Sequence, residues 1–203
     1  PVAGKKKSSK GVLVAVGLVA ALVIVGVALV LIGNDGEEKG MSPPESDSVI
    51  AKVDFVEGHV VYTRDLGETK LVQGTDLMEG DVINVRQGAV RIAYVGEKTY
   101  LHIRSGSEIR FEDDHQGKQV RLSLGEVSVE ASAQPVGKPM VIHSSNARAT
   151  LLGTKMTMWT LSKETLVEVS EGLVHVERSR DGASVEVRDG AWTMVGEEEA
   201  PQA

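Results

Sequence analysis

The chain has 203 residues, 22 Lys and Arg against 29 Asp and Glu, 3% aromatic residues and no cysteine. Residues 1–33 carry four lysines and no acid, so residues 34–203 hold 18 basic and 29 acidic side chains, an excess of 11 negative charges. Such a balance repels a phosphate backbone, so no nucleic-acid partner is expected. The missing cysteine removes disulfides, thiolate zinc sites and thiol nucleophiles, and aromatics are too few for a base-stacking platform.

Val12 to Ile32 is a run of 21 residues without a charge. As a helix rising about 1.5 Å per residue it spans roughly 31 Å, the thickness of a bilayer's hydrocarbon core. The run is longer than the apolar part of a cleaved signal peptide, and it ends in Leu29-Val30-Leu31-Ile32 without the small residues of a cleavage site. One transmembrane helix over 12–32 is therefore expected, in contact with the lipid bilayer. Lys5, Lys6, Lys7 and Lys10 precede it, whereas Asp35, Glu37, Glu38 and Lys39 follow. The positive-inside rule then places residues 1–11, a short basic stub, in the cytoplasm and the rest of the chain beyond the membrane. Pro1 is not an initiator, which leaves a cytoplasmic segment ahead of the stub open.

Residues 33–48 are polar and contain Gly36, Gly40, Pro43 and Pro44, a composition that reads as a flexible linker. From Val49 the period becomes two. Val49, Ala51, Val53 and Phe55 alternate with Ile50, Lys52 and Asp54, and Val120, Leu122 and Leu124 with Arg121 and Ser123. Val167/Val169, Val174/Val176 and Val185/Val187 follow the same pattern, with Glu168, His175 and Glu186 between them. Alternation of this kind puts the apolar set on a buried face. Glycines recur through the first half, and Gln134-Pro135, Asp181-Gly182 and Asp189-Gly190 add turn signals. The expectation is an all-β domain over 49–195 made of a dozen or more short strands, either a two-layer β-sandwich or a β-helix-like stack, with an acidic tail at 196–203. Glu57-Gly58-His59-Val60, Glu171-Gly172-Leu173-Val174 and, more loosely, Leu124-Gly125-Glu126-Val127 form a weak internal repeat, each read as a tight turn feeding a strand.

Five segments in order carry a family resemblance. Leu122-Ser123-Leu124-Gly125-Glu126-Val127, Lys138-Pro139-Met140-Val141-Ile142, Leu152-Gly153-Thr154, Val167-Glu168-Val169-Ser170-Glu171-Gly172-Leu173-Val174 and Val187-Arg188-Asp189-Gly190 are similar to the motifs of the FecR domain. From Gly80 to about Val195 the chain resembles that extracytoplasmic sensor module of bacterial transmembrane signalling proteins. The resemblance implies a bacterial inner-membrane protein with one span, its β domain in the periplasm, and regulation through a protein partner in the envelope, of the anti-sigma type in some members. Its motif residues Gly125, Glu126, Leu152, Gly153, Thr154, Glu171, Gly172 and Gly190 read as scaffold, with glycine at turns and valine in the core.

The remaining residues offer little chemistry. His59, His102, His115, His143 and His175 are too scattered for a metal site, and His102 and His175 fall on the exposed faces of their strands. The acidic turn Glu112-Asp113-Asp114-His115 lacks the ligand spacing of a calcium loop. Ser144-Ser145 beside His143 is not a nucleophile and base, because strand neighbours point to opposite faces. No catalytic residue, metal ligand or cofactor is assigned, and no enzyme is expected. Trp159 is either core, as large aromatics usually are, or an outward partner contact if Met156 and Met158 face inward. Two functions stay open: a regulator that senses through protein contacts, and a passive envelope scaffold, adhesion or polysaccharide-binding module without inward signalling.

Overall fold

The computed structural model describes residues 49–114, 117–196 and 201–202. The expected transmembrane helix at 12–32, the stub and the linker lie outside the described residues. Among the described residues every regular element is a strand, and no helix is long and apolar enough to cross a membrane. In chain order the strands are β1 (Ala51–Arg64), β2 (Gly67–Lys70), β3 (Asp76–Leu77), β4 (Val82–Tyr94), β5 (Tyr100–Arg104), β6 (Ser107–Asp114) and β7 (Gly117–Glu130). They continue as β8 (Met140–His143), β9 (Ala147–Leu151), β10 (Lys155–Thr160), β11 (Glu164–Glu171), β12 (Leu173–Arg178), β13 (Ser184–Arg188) and β14 (Trp192–Gly196).

The register sorts these strands into two ladders. In the first, β3 pairs the start of β1, whose residues 51–59 pair residues 87–94 of β4; β5, the end of β7, β10, β11 and β14 then follow in order. In the second, β2 pairs the end of β1, and the chain of neighbours runs through the start of β4, β6, the start of β7, β8, β9, β12 and β13. The buried side chains of both ladders belong to one apolar cluster, which includes Ile83, Phe111, Leu122, Ile142, Met158, Val167 and Val174. Each such side chain taken out of water contributes about 1.5–3 kcal/mol. Among the described pairings only β7–β8 is parallel, whereas stacked coils of a β-helix would pair in parallel throughout. Two ladders, antiparallel but for the β7–β8 pair, around a shared core is the arrangement found.

Three strands belong to both ladders, and they are long: β1 and β7 have 14 residues and β4 has 13. They change ladder at glycines inside the strand rather than at turns. Gly58 and Gly88 face each other across β1 and β4, with φ of +85° and +95°. A Cβ on Gly88 would collide with the carbonyl oxygen of Glu57 and come within 2.7 Å of its carbon. Gly125, at the bend of β7, has φ of +89°, and its Cβ would lie 2.6 Å from Ser107 Cα. The hydroxyls of Ser105 and Ser107 stitch this line of bends. Ser105 Oγ accepts from Gly88 N–H at 2.7 Å and donates to Gly88 O at 2.9 Å. Ser107 Oγ accepts from Glu126 N–H at 2.8 Å and donates to Glu126 O at 3.1 Å.

The second half is built differently. The hairpin β8–β9 lies in the second ladder, β10–β11 in the first and β12–β13 in the second, and β14 returns to the first. The crossovers between them are short: Leu152-Gly153-Thr154, Gly172 and Asp189-Gly190-Ala191.

Strict alternation fails at two places, each with a local cause. A bulge between Val53 and Phe55 shifts the register of β1, so Phe55 is 46% exposed and Val56 packs on the core instead. Leu124 stands beside the Gly125 bend and opposite a register shift in β6, and it is 52% exposed. Val49 also lies outside the core.

Candidate protein-contact surface

Of the motif residues, Leu152, Gly153, Thr154, Glu171, Gly172 and Gly190 meet along one side of the fold, where the chain crosses between ladders, whereas Gly125 and Glu126 lie at the other end of β10, opposite Thr160 and Trp159. Thr154 O accepts from Ala131 N–H at 2.9 Å, and Leu152 O accepts from Gln134 N–H at 2.9 Å. A Cβ on Gly153 would come within 3.0 Å of Ala133 Cα, and one on Gly172 within 2.8 Å of Thr154 Cγ2. Gly172 O then accepts from Asp189 N–H at 3.0 Å, and Gly190 N–H donates to Val169 O at 2.8 Å. Three crossovers therefore pack edge to edge, and the glycines allow the close approach. Glu171 holds Lys155 across the strand pair at 2.9 Å, and Glu126 holds Arg104 at 2.9 Å.

Trp159 is not core. Met156 and Met158 fill the inner face of β10, so Trp159, one residue out of phase, stands on the outer face of the first ladder and is half-buried. Its cross-strand neighbours are Glu126 on β7 and Leu166 on β11, and Leu166 in turn pairs Met194 on β14. Two residues along, the next row runs Ser128, Thr157, Glu168, Trp192, with the first two hydroxyls 3.0 Å apart. Trp192 is 59% and Met194 44% exposed. Leu161 in the adjoining turn is exposed as well. The result is an apolar strip across three strands, bounded by the exposed carboxylates of Glu164 and Glu168. Trp192 and Met194 were not singled out by the sequence reading, although the alternation of β14 around buried Thr193 and Val195 carries the signal.

Elsewhere the polar groups are engaged in structure. Asp81, fully buried, accepts from Arg64 Nε at 2.8 Å and Nη2 at 2.7 Å and from Met78 N–H at 2.9 Å. Burial, reinforced by the nearby Glu97 carboxylate, pushes the Tyr94 phenol well above its ordinary range, so it stays neutral. His102 lies 3.5 Å from Glu130, His143 Nε2 lies 2.6 Å from Gln119 Oε1, and His175 is exposed. Glu112 of the acidic turn is gripped by both Nε and Nη2 of Arg121. His115 lies outside the described residues. Among the described residues no three His, Asp or Glu side chains converge as a metal site.

The FecR protein family model matches residues 81–175, so the resemblance read from the motifs is shown over that stretch. The closing Val187–Gly190 motif lies past its end. No curated protein matches the chain. Two crystal structures of a provisionally assigned anti-sigma factor from Parabacteroides distasonis ATCC 8503 align with 59% of this chain. One has 18% identity and a TM-score of 0.50, the other 17% and 0.49. The former shows a shared fold. The alignment spans 56% of that protein's length.

Proposed function

Because residues 81–175 match the FecR protein family, we propose that this protein is a membrane-anchored regulatory sensor of the bacterial envelope, working through protein contacts made by its β domain. The span at 12–32 would hold it in the inner membrane with the β domain outside, and the domain would bind rather than catalyse. One observation carries the contact role: an apolar strip of Trp159, Leu166, Trp192 and Met194 on a sheet face whose inner side already fills the core. Exposed aromatic and Met side chains grouped inside a charged rim are typical anchors of a protein interface. Signalling inward requires a partner that binds one arrangement of the domain better than another.

The test is site-specific photocrosslinking from position 194 of the full chain in its native membrane. A discrete crosslinked protein is expected. It should be lost when Trp159→Ser is added, with the thermal midpoint of the purified chain moved by less than about 3 °C, the size of a half-exposed substitution. Crosslinks to lipid alone, or a protein crosslink indifferent to Trp159→Ser, would overturn the contact role. A partner bound through this strip whose target genes do not respond to Trp159→Ser would leave the passive scaffold as the better description.

A further inference from the structure

The first ladder ends at β14, which pairs β11 and, among the described residues, no other strand. The register fixes which way its peptide groups point. Gly190 N–H donates to Val169 O at 2.8 Å and Ala191 O accepts from Val169 N–H at 3.0 Å, so Val169 turns its backbone toward β14. On the other side of β11, Glu164 O accepts from Leu161 N–H at 2.9 Å, so Glu164 turns its backbone toward β10. Direction alternates along a strand, so Val167 and Thr165 also face β14 and bond their partners Thr193 and Val195. Trp192, Met194 and Gly196 fall in between, and their N–H and C=O groups point out of the sheet edge. Gln202 O accepts from the Thr193 hydroxyl at 2.8 Å, on the inner side of the strand.

Exposed edges are usually blunted by charge, proline or brevity. The other edge strands follow that rule: β2 carries Glu68 and Lys70, β13 carries Glu186 and Arg188, and β3 has only two residues. β14, Trp192-Thr193-Met194-Val195-Gly196, has neither charge nor proline. It is also complementary to itself. Laid antiparallel on a second β14 with the two-fold axis at Met194, Met194 faces Met194 and Trp192 faces Gly196, in both directions. Each indole then meets a position without a side chain, and all these pairs are of the hydrogen-bonded kind. Thr193 and Val195 keep their places in their own cores. No carboxylate faces another across the pair, because Glu164 and Glu168 stand one strand back on β11.

We propose that the free edge of β14 is a strand-addition site whose occupant is a second copy of this chain, giving a two-fold dimer with one sheet continuous through both β domains. A two-fold axis requires that residue i meets j while j meets i, and the match of Trp192 with glycine is a property of β14 against itself. That favours a second copy over an unrelated extended segment, for which main-chain bonds alone would carry the affinity. Pairing uses the edge and leaves the outer face open, so the row Trp159, Leu166, Met194 of one copy runs on into that of the other. The inference concerns the edge and does not depend on what the apolar strip binds.

The chain has no cysteine, so single-cysteine variants of the full chain, oxidised in the membrane with copper phenanthroline, read the register directly. At the two-fold axis the two Cα atoms of position 194 lie about 5.5 Å apart, within disulfide reach. M194C should therefore give a disulfide-linked product of twice the chain's mass. W192C meets its own copy roughly 14 Å away along the pair, beyond reach, and should give about tenfold less. Coexpressing W192C with G196C should restore the product. Light scattering of the purified full chain in a mild non-ionic detergent supplies the second measurement. Met194→Lys, which places a charge on the edge, should raise the dimer Kd about tenfold with the thermal midpoint little changed. Equal products from M194C and W192C, or dimerisation indifferent to Met194→Lys, would overturn the proposal. In the photocrosslinking from position 194, a product of twice the chain's own mass reports this pairing and any other mass reports the strip's partner, so the two readings fail separately.

Discussion

Residues 51–130 and residues 140–196 build the same two ladders by opposite means. In the first half three long strands run through both ladders and bend at internal glycines, so backbone meets backbone at the bend. In the second half short hairpins alternate between ladders and the crossovers do the turning, with backbone no closer than 3.0 Å to a Cβ at Gly153, a side chain nearest at Gly172 and open space at Gly190. A bend inside a paired strand leaves no room for a side chain, because the facing strand is fixed about 4.8 Å away by its hydrogen bonds. A crossover has no facing strand and can shift.

The sharpest test of this contrast is Gly88→Ala against Gly190→Ala. At Gly88 the added Cβ meets the Glu57 carbonyl and Gly58 Cα at a φ of +95°, and neither backbone atom can yield alone. Gly88→Ala should cost about 3 kcal/mol or more, lowering the thermal midpoint by roughly 10 °C. At Gly190 nothing lies within 4 Å, so only the positive φ is penalised. There the cost should be about 1 kcal/mol, near 3 °C. Equal midpoints for the two variants would refute the difference between bend and crossover.

Smaller than the Gly88 effect but specific to the second half is Asn146→Ala. It removes the two bonds to Lys163 O and Val195 O and the one that Asn146 Oδ1 accepts from Thr165 Oγ1, which keeps Ser144 Oγ as a neighbour at 2.7 Å. A loss of about 1–3 kcal/mol in urea-unfolding stability is expected. A loss below about 0.5 kcal/mol would mean that the hairpin ends hold without this tie.

The smallest effect is acid sensitivity at the β12–β13 turn. The Arg178 guanidinium first, and the Ala183 N–H second, hold the Asp181 carboxyl down to about 2, against an ordinary 3.8. A depressed carboxyl stabilises the fold above its unfolded value and loses that contribution as pH falls toward its folded value. Urea midpoints of the wild type and Asp181→Asn should therefore differ at pH 5, draw together between pH 4 and about pH 2, and coincide below. A constant gap across that window would show that Asp181 acts through packing instead.

Much of the core was legible because alternation is a local property. Val53, Val120, Leu122, Val167, Val169, Val174, Val176 and Val187 are buried where period two puts them. Phe55 and Leu124 escaped because a bulge and a bend change the phase, and neither leaves a mark in the run of apolar residues. Trp159 needed its neighbours: only once Met156 and Met158 are seen in the core does its face become the outer one. Arg178 was hinted at by standing in phase with Val174 and Val176, where a charge demands a partner.

By itself the sequence determined strand content, the inward valines, the glycine positions and the FecR resemblance, since each depends on residues a few positions apart. Only the tertiary structure decided which strands pair. Leu151 of β9 meets Val174 of β12, and Lys118 of β7 lies parallel to Met140 of β8. Such pairings are selected by the whole core's volume and by loop closure, not by any local pattern. The same long-range pairing brings Trp159 beside Leu166 and Met194.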